Sequence, residues 1–360
     1  MFKFALGALF SLLFVALPAS ATPEPDAALA STKAHAAKKP RIVLRHRSPH
    51  AAARLAAAPE ARERMVKRVV MLHGRRKVVF QRVVHVSAAS IVPSMGDLAG
   101  LNLTRDPLDL KSSVAFVLDQ SNSEVLFEKN SSVALPIASI TKLMTGLLVV
   151  QAHQDMDELL TVTEADVDRE KFSSSRLKVG AQLTRSNMLH IALMSSENRA
   201  ASALGRNYPG GMPAFVAAMN AKAQELGMLD THYVDANGLS KLNVASARDL
   251  AKLVMVAHQE PILRQYSTDQ KYIVEASGRP MQFGNTNRLV TNPGWEIGLQ
   301  KTGFINEAGR CLVMQAKIEG RAVIMVFLDS KGTQSRTADA GRMRKWLEAL
   351  KPAGVSLPGG

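Results

Sequence analysis

The order of the residue patterns constrains this fold more than the composition does. Strand patterns stand at both ends of the central region, and helical patterns fill the space between. Ser113-Val114-Ala115-Phe116-Val117-Leu118 and Glu124-Val125-Leu126-Phe127-Glu128 flank Asp119-Gln120-Ser121-Asn122, which predicts a hairpin. Helical periodicity then begins near Ser139 and is expected to end near His153. It returns from Thr184, a plausible N-cap, to Met194, and again over Arg199 to Asn207. Phe215, Met219 and Leu226 mark a further helix, closed by Gly227. Ser246-Ala247-Arg248-Asp249 has capping-box spacing ahead of Leu250, Leu253 and Val254. From Gln270 the pattern turns to strands, at Tyr272 to Val274, Gly298 to Ile305, Arg310 to Ile318 and Ala322 to Leu328. Glu319-Gly320-Arg321 joins the last two. A final helix from Ser335 to Leu350 places Met343, Trp346, Leu347 and Leu350 on one side. The expected fold class is α/β in the broad, α+β sense. One antiparallel sheet is closed by both ends of the chain and flanked by helices, with a helical subdomain inserted.

Charge divides the chain. Between Lys33 and Arg82 fifteen basic residues face only Glu60 and Glu63, so +13 of the formal +14 lies in one stretch. A basic patch built into the fold is therefore not the reading, and nucleic acid is not an expected partner. Residues 1–21 read as a signal peptide. Lys3 precedes an apolar run from Phe4 to Ala16, and Ala19-Ser20-Ala21 is a small-residue cleavage site. Residues 22–104 read as a basic, largely disordered tail or linker, with the fold starting near Leu108. Within it, Met65 to Val86 alternates valine pairs with Arg and Lys around His73-Gly74. That pattern suits a weak hairpin or a strand ordered on an anionic envelope polymer or membrane surface; a solvated tail is the plainer reading. Residues 105–350 read as one catalytic domain and 351–360 as a short tail. An exported chain can use disulfides, but Cys311 is the only cysteine and lies in an apolar run, so a core thiol is expected.

Three short patterns carry chemistry. Ser139-Ile140-Thr141-Lys142 opens a helix, so Ser139 and Lys142 share a face and can touch. A serine hydroxyl needs an adjacent base, and a lysine packed among Leu143, Met144 and Leu147 could lose solvation and serve as one. This spacing alone arises by chance about once per chain. Ser196-Glu197-Asn198 follows in a loop, with Glu197 read as a solvent-facing spacer. Lys301-Thr302-Gly303 comes third, on a strand. The set, in this order, is that of the serine enzymes that react with penicillin.

The chain resembles the low-molecular-mass penicillin-binding proteins, the D-alanyl-D-alanine peptidase family, from about Leu108 to Leu350. The neighbourhoods Pro136 to Lys142, Met194 to Ala201 and Gly298 to Phe304 look most like its D-alanyl-D-alanine endopeptidase branch. The resemblance implies a β-lactamase/DD-peptidase-like fold and an acyl-serine mechanism on peptidoglycan, with β-lactam antibiotics as covalent inhibitors. Ser139 would be the nucleophile and Lys142 the general base. Ser196 would relay a proton, and Asn198 would hold the acylated residue. Lys301, Thr302 and Gly303 would bind substrate, and the backbone N–H groups of Ser139 and Phe304 would form the oxyanion hole. No cofactor and no metal are expected. The scattered histidines show no ligand spacing, and His190 reads as a helix-face residue. A class A β-lactamase would carry a Glu-x-x-Leu-Asn motif between the second and third patterns, and none occurs. Only 57 residues follow Gly303, and where many carboxypeptidases of the family have histidine this chain has Phe304. Both points favour an endopeptidase cutting D-alanyl to diaminopimelate crosslinks over a carboxypeptidase. A non-catalytic wall-binding protein acting through the basic stretch is the reading from another class.

Overall fold

The computed structural model describes residues 62–72, 75–85, 92–276 and 278–350. The signal-peptide reading of 1–21, the first part of the tail, His73-Gly74 and the tail at 351–360 lie outside the described residues. In the basic stretch, β1 (Arg62–Leu72) pairs antiparallel with β2 (Arg75–His85), in register from Arg62↔His85 to Leu72↔Arg75. The alternation therefore forms a pair of antiparallel strands.

The packed body begins earlier than the sequence boundary at residue 105. A single turn, α1 (Met95–Leu98), is closed by a capping box. The Ser94 hydroxyl accepts from Asp97 N, and the Asp97 carboxylate accepts from Ser94 N at 3.0 Å. Asp97 pairs with Lys331 at 2.7 Å, and Met95 N donates to Glu307 O at 2.9 Å. Four residues are too few to show helical periodicity, so a reading by period takes such a segment for linker.

The central sheet is antiparallel, in the order β11-β12-β13-β3-β4. It combines β3 (Ser112–Asp119) and β4 (Val125–Lys129) from early in the chain with β11 (Glu296–Ile305), β12 (Gly309–Ile318) and β13 (Arg321–Ser330) from the end. The closing pair is β13 on β3, in register from Val323↔Asp119 to Ser330↔Ser112. Both faces of β3 are covered. Val114, Phe116 and Leu118 join the core under the helices, while Ala115 and Val117 join a second core on the other face. This explains why β3 reads as an unbroken apolar run. Glu319 and Gly320 both take positive φ, 49° and 77°, as a tight hairpin turn requires.

The second core is covered by α8 (Ser335–Ala349), which contributes Ala340, Met343 and Leu347, while Trp346 packs edge-on to Phe127 at 5.8 Å. Asp339 anchors this helix. Its carboxylate accepts from Lys111 N, Ser112 N and the Ser112 hydroxyl at 3.0, 2.8 and 2.6 Å, and it is fully buried.

The remaining elements form the helical part. A two-residue strand β5 (Leu135–Pro136) leads into α2 (Thr141–Gln151). Then come β6 (Leu159–Thr161), β7 (Gln182–Thr184), α3 (Arg185–Met194), α4 (Asn198–Arg206) and α5 (Gly211–Glu225). A short strand β8 (Val244–Ala245) precedes α6 (Ala247–Ala257) and α7 (Pro261–Thr268), and the hairpin of β9 (Lys271–Ala276) and β10 (Arg279–Gly284) follows. Nine of the eleven residues of α2 are buried, Lys142 among them. An α-helix that is apolar all round belongs at the centre of a large core, and here it carries the Ser-x-x-Lys pattern into that core.

Candidate active site

Ser139 lies in a tight 3-10 turn, Ala138–Ile140, that runs straight into α2. The turn is strained: Ala138 has φ +49°, where a side chain costs about 1–2 kcal/mol. Its surroundings hold it there. β5 pairs with β8, and Ile137 N donates to Asn243 O at 3.0 Å. The Thr141 hydroxyl donates to Ala138 O at 2.8 Å and accepts from Asn243 Nδ2 at 3.1 Å. Gly238, at φ +81°, presses on the same turn, and a Cβ there would lie 2.0 Å from Ala138 O. β11 closes the other side: a Cβ on Gly303 would lie 2.8 Å from Ile137 O and 3.2 Å from Ser139 N. The glycine of the third pattern is thus needed so that the strand can lie flush against the serine turn.

Lys142 reaches Ser139 as the spacing predicts. Its Nζ stands 2.8 Å from Ser139 Oγ, 2.7 Å from Asn198 Oδ1 and 2.5 Å from Asn237 O. The side chain is 1% exposed. Burial pushes its pKa from 10.5 down to about 7, against the opposing pull of the Asp235 and Glu197 charges. Asn198 Nδ2 donates to the Ser173 hydroxyl at 2.9 Å, which turns Oδ1 toward Lys142. Two of the three partners of Nζ are then acceptors only. A neutral amine has two hydrogens, and both are spent on Asn198 and Asn237. The lone pair is left facing the serine hydroxyl.

The second and third patterns meet across the cleft. Ser196 has φ +62°, and its hydroxyl accepts from Lys301 Nζ at 2.9 Å. Lys301 is fully buried and also donates to Thr302 O at 2.9 Å. Burial, then the charges of Lys142 and Arg336, hold its pKa well below the usual lysine value. Thr302 Oγ1 lies 2.7 Å from Thr286 Oγ1. Phe304 is half exposed at the rim, with the Arg310 guanidinium 4.6 Å from its ring centre. All the residues singled out from sequence therefore converge on one cleft between β11 and the helices.

Glu197 departs from expectation. It is not a solvent-facing spacer but is 8% exposed and caps α4. Its carboxylate accepts from the Ser175 hydroxyl at 2.6 Å and Arg199 N at 3.3 Å. Facing outward would leave the first N–H groups of α4 without partners. His190 is stacked between Tyr266 and Tyr272, with ring centres 4.2 and 3.7 Å away, and so packs on the α3 face as expected. Cys311 is buried, and that burial pushes its thiol up to about 12.

Several participants carry no motif. Asn237 supplies the carbonyl on Lys142, and Asp235 holds the loop around it. The Asp235 carboxylate accepts from Asn237 N at 2.9 Å, Gly238 N at 2.5 Å, Ser240 N at 2.9 Å and Asn243 Nδ2 at 2.9 Å. Asp-x-Asn-Gly is a turn composition, so the signal was available as loop geometry but not as chemistry. Arg336, on α8, donates to Gly303 O at 2.7 Å and adds a second cation beside β11.

A serine on a strained turn, hydrogen-bonded to a buried lysine, with a second buried lysine on the facing strand, defines a serine acyl-transfer enzyme. Comparison with known proteins narrows the class. The profile of the D-alanyl-D-alanine carboxypeptidase family matches residues 102–332. A D-alanyl-D-alanine endopeptidase of Pseudomonas aeruginosa is 46% identical, over 72% of this chain and 84% of its own length. One from Escherichia coli is 42% identical, over 68% of this chain and 79% of its own. Among solved structures, a Streptomyces DD-transpeptidase superposes with TM-score 0.64 at 26% identity, covering 69% of this chain and all of that one. The chain belongs to the D-alanyl-D-alanine carboxypeptidase family of penicillin-binding serine DD-peptidases.

Proposed function

We propose that this chain is a penicillin-sensitive DD-endopeptidase of the periplasm that hydrolyses D-alanyl to diaminopimelate crosslinks of peptidoglycan. The observation that carries the reading is the contact of the buried Lys142 Nζ with Ser139 Oγ at 2.8 Å, together with the burial that brings its pKa down to about 7. Ser139 attacks the D-alanyl carbonyl, and Lys142 takes its proton. The backbone N–H groups of Ser139 and Phe304 receive the developing oxyanion, worth about 3 kcal/mol each. Asn198 holds the acylated residue, and Ser196 passes a proton to the departing nitrogen. Lys301 and Thr302, with Gly303 giving close approach, receive the carboxylate beside the scissile bond. That carboxylate favours the charged form of Lys301, which burial otherwise opposes. Water then hydrolyses the acyl-serine. The 42–46% identity to proteins named endopeptidases favours this over the carboxypeptidase activity named for relatives near 30%.

Export by cleavage after Ala21 places the enzyme at its substrate, and the basic stretch attracts it to an anionic envelope polymer or membrane surface. The test is intact mass after incubation of the full chain with a fluorescent penicillin, beside Ser139→Ala, followed by digestion of crosslinked muropeptide dimers. A lasting adduct on the wild type alone, with dimers cut to monomers, is the expected result. An adduct with dimers left intact and terminal D-alanine released would make it a carboxypeptidase. No adduct on well-folded protein would end the acyl-serine reading.

A further inference from the structure

One ion pair stands where the two walls of the cleft approach beyond the catalytic residues. Lys171 Nζ lies 2.6 Å from Glu307 Oε1, and each side chain is about a quarter exposed. Lys171 belongs to the loop that supports Asn198. Glu307 belongs to the turn between β11 and β12, four residues after Gly303. Both backbones are pinned. The Asp168 carboxylate accepts from Lys171 N at 2.9 Å and Ser173 N at 2.7 Å, and the Ser173 hydroxyl in turn receives Asn198 Nδ2. Glu307 O accepts from Met95 N. The pair is therefore a fixed bridge between walls and not a chance surface contact.

The proposed direction of the substrate brings it to this bridge. The carboxylate beside the scissile bond lies at Lys301 and Thr302, and the carbonyl lies at Phe304. The acyl side of the substrate must then run on past Phe304 toward Glu307, antiparallel to β11, which is the open edge of the sheet. Glu307 is three positions beyond Phe304, the last two in the turn after β11, a span of at most roughly 10 Å. An extended substrate spans about 3.5 Å from the reacting D-alanine to the preceding residue, and a five-bond side chain adds about 6 Å. The reach matches.

The chemistry of the bridge matches as well. Glu307 Oε2 is buried with no hydrogen-bond partner among the described residues. Burial opposes the Glu307 charge, but the hydrogen bond from Lys171 and then that from its own backbone N–H hold the carboxyl below its usual pKa. A carboxylate with one oxygen on an ammonium group and the other without a donor, beside that ammonium, is the complement of an amino-acid zwitterion. We propose that Lys171 and Glu307 form the recognition site for a zwitterionic amino-acid terminus on the residue that precedes the reacting D-alanine, as diaminopimelate carries. The substrate ammonium replaces Lys171 on Glu307, and Lys171 turns to the substrate carboxylate. This rests on the acyl-serine reading above and adds which stem peptides the site selects.

Three penicillins differing only in side chain test it. One carries phenylacetyl, one an α-aminopimelyl group ending in the zwitterion, and one 6-aminohexanoyl, which keeps the ammonium and lacks the carboxylate. Acylation rate constants are measured for the full chain, Glu307→Gln and Lys171→Gln. Glu307→Gln should slow both ammonium-bearing compounds about tenfold or more and leave the phenylacetyl compound near wild type. Lys171→Gln should slow the aminopimelyl compound alone. Equal factors for all three compounds, or no change for any, would overturn the proposal. A wild type unreactive toward all three would instead sink the acyl-serine reading on which it rests.

Discussion

Gly238 and Gly180 have nearly the same backbone angle, φ +81° and +87°, in different surroundings. An alanine Cβ at Gly180 would meet nothing within 4 Å. At Gly238 it would fall 2.0 Å from Ala138 O, 2.4 Å from Ala138 C and 2.9 Å from Ser139 N. Both substitutions carry the left-handed penalty, about 1–2 kcal/mol. Only Gly238→Ala adds overlap, and because its neighbours are backbone, no rotamer change relieves it. Overpacking of this kind costs about 1–3 kcal/mol more. The overlap has only two ways out, movement of the 235–240 loop or movement of the serine turn. Either one breaks the contact of Asn237 or Ser139 with Lys142, and a misplacement near 1 Å lowers rate by about a hundredfold. The assay is paired thermal melting and acylation by benzylpenicillin. Gly180→Ala should melt lower by about 2–4 °C per kcal/mol lost and acylate normally. Gly238→Ala should melt lower still and acylate about a hundredfold more slowly. Equal melting losses with equal acylation rates would refute the claim that this contact fixes the nucleophile.

Acylation should rise as pH increases through about 7, since only neutral Lys142 can take the serine proton. Unfolded, this lysine keeps its proton to about 10.5, so between these values the unfolded state binds more protons and folding stability climbs with pH. The slope from this group is about 1.4 kcal/mol per unit. Lys301 shares the sign, so Lys142→Met should flatten the slope in denaturant titrations from pH 7 to 9 without abolishing it. Asp235→Asn removes the larger of the two charges that oppose the Lys142 shift and one acceptor of the loop. The acidic limb of the acylation profile should move to lower pH while the plateau falls roughly tenfold; an unmoved limb would show that Asp235 acts only as scaffold. Asp339→Asn places an amide against the donors of Ser112 and Lys111 and should cost about 2–3 kcal/mol in chemical denaturation, with acylation unchanged.

What could be read in the sequence depended on how local the cause was. Ser139 and Lys142 lie one helical turn apart, so their contact follows from spacing alone. The meeting of Lys301 with Ser196 does not, because nothing local says that β11 will lie against the loop after α3. It was inferred from the joint presence of three patterns. Asn237 escaped because it acts through its backbone carbonyl, which any residue has. Glu197 was misjudged for a related reason: its place between Ser196 and Asn198 says nothing of the helix it caps. Pro261 following Glu260 was a usable helix-start signal for α7, but the eight-residue helix is too short for its period to stand out. The second strand of the β9–β10 hairpin, with Pro280 and Gly284 in it, carries little strand propensity.

The pairing of β13 with β3 also sets a time order. A growing chain makes Ser139 and Lys142 early, on a helix whose local contacts form quickly. The strand with Lys301 begins 177 residues after β3 ends, and β13, which joins it through β12 to β3, begins 202 residues after. Long-range pairing of this kind is slow to form. Until Ser330 has found Ser112, Lys301 and its strand are not held against the serine turn. A half-made molecule can therefore neither cut a polymer nor be poisoned by an antibiotic, and the enzyme comes into being at one late step.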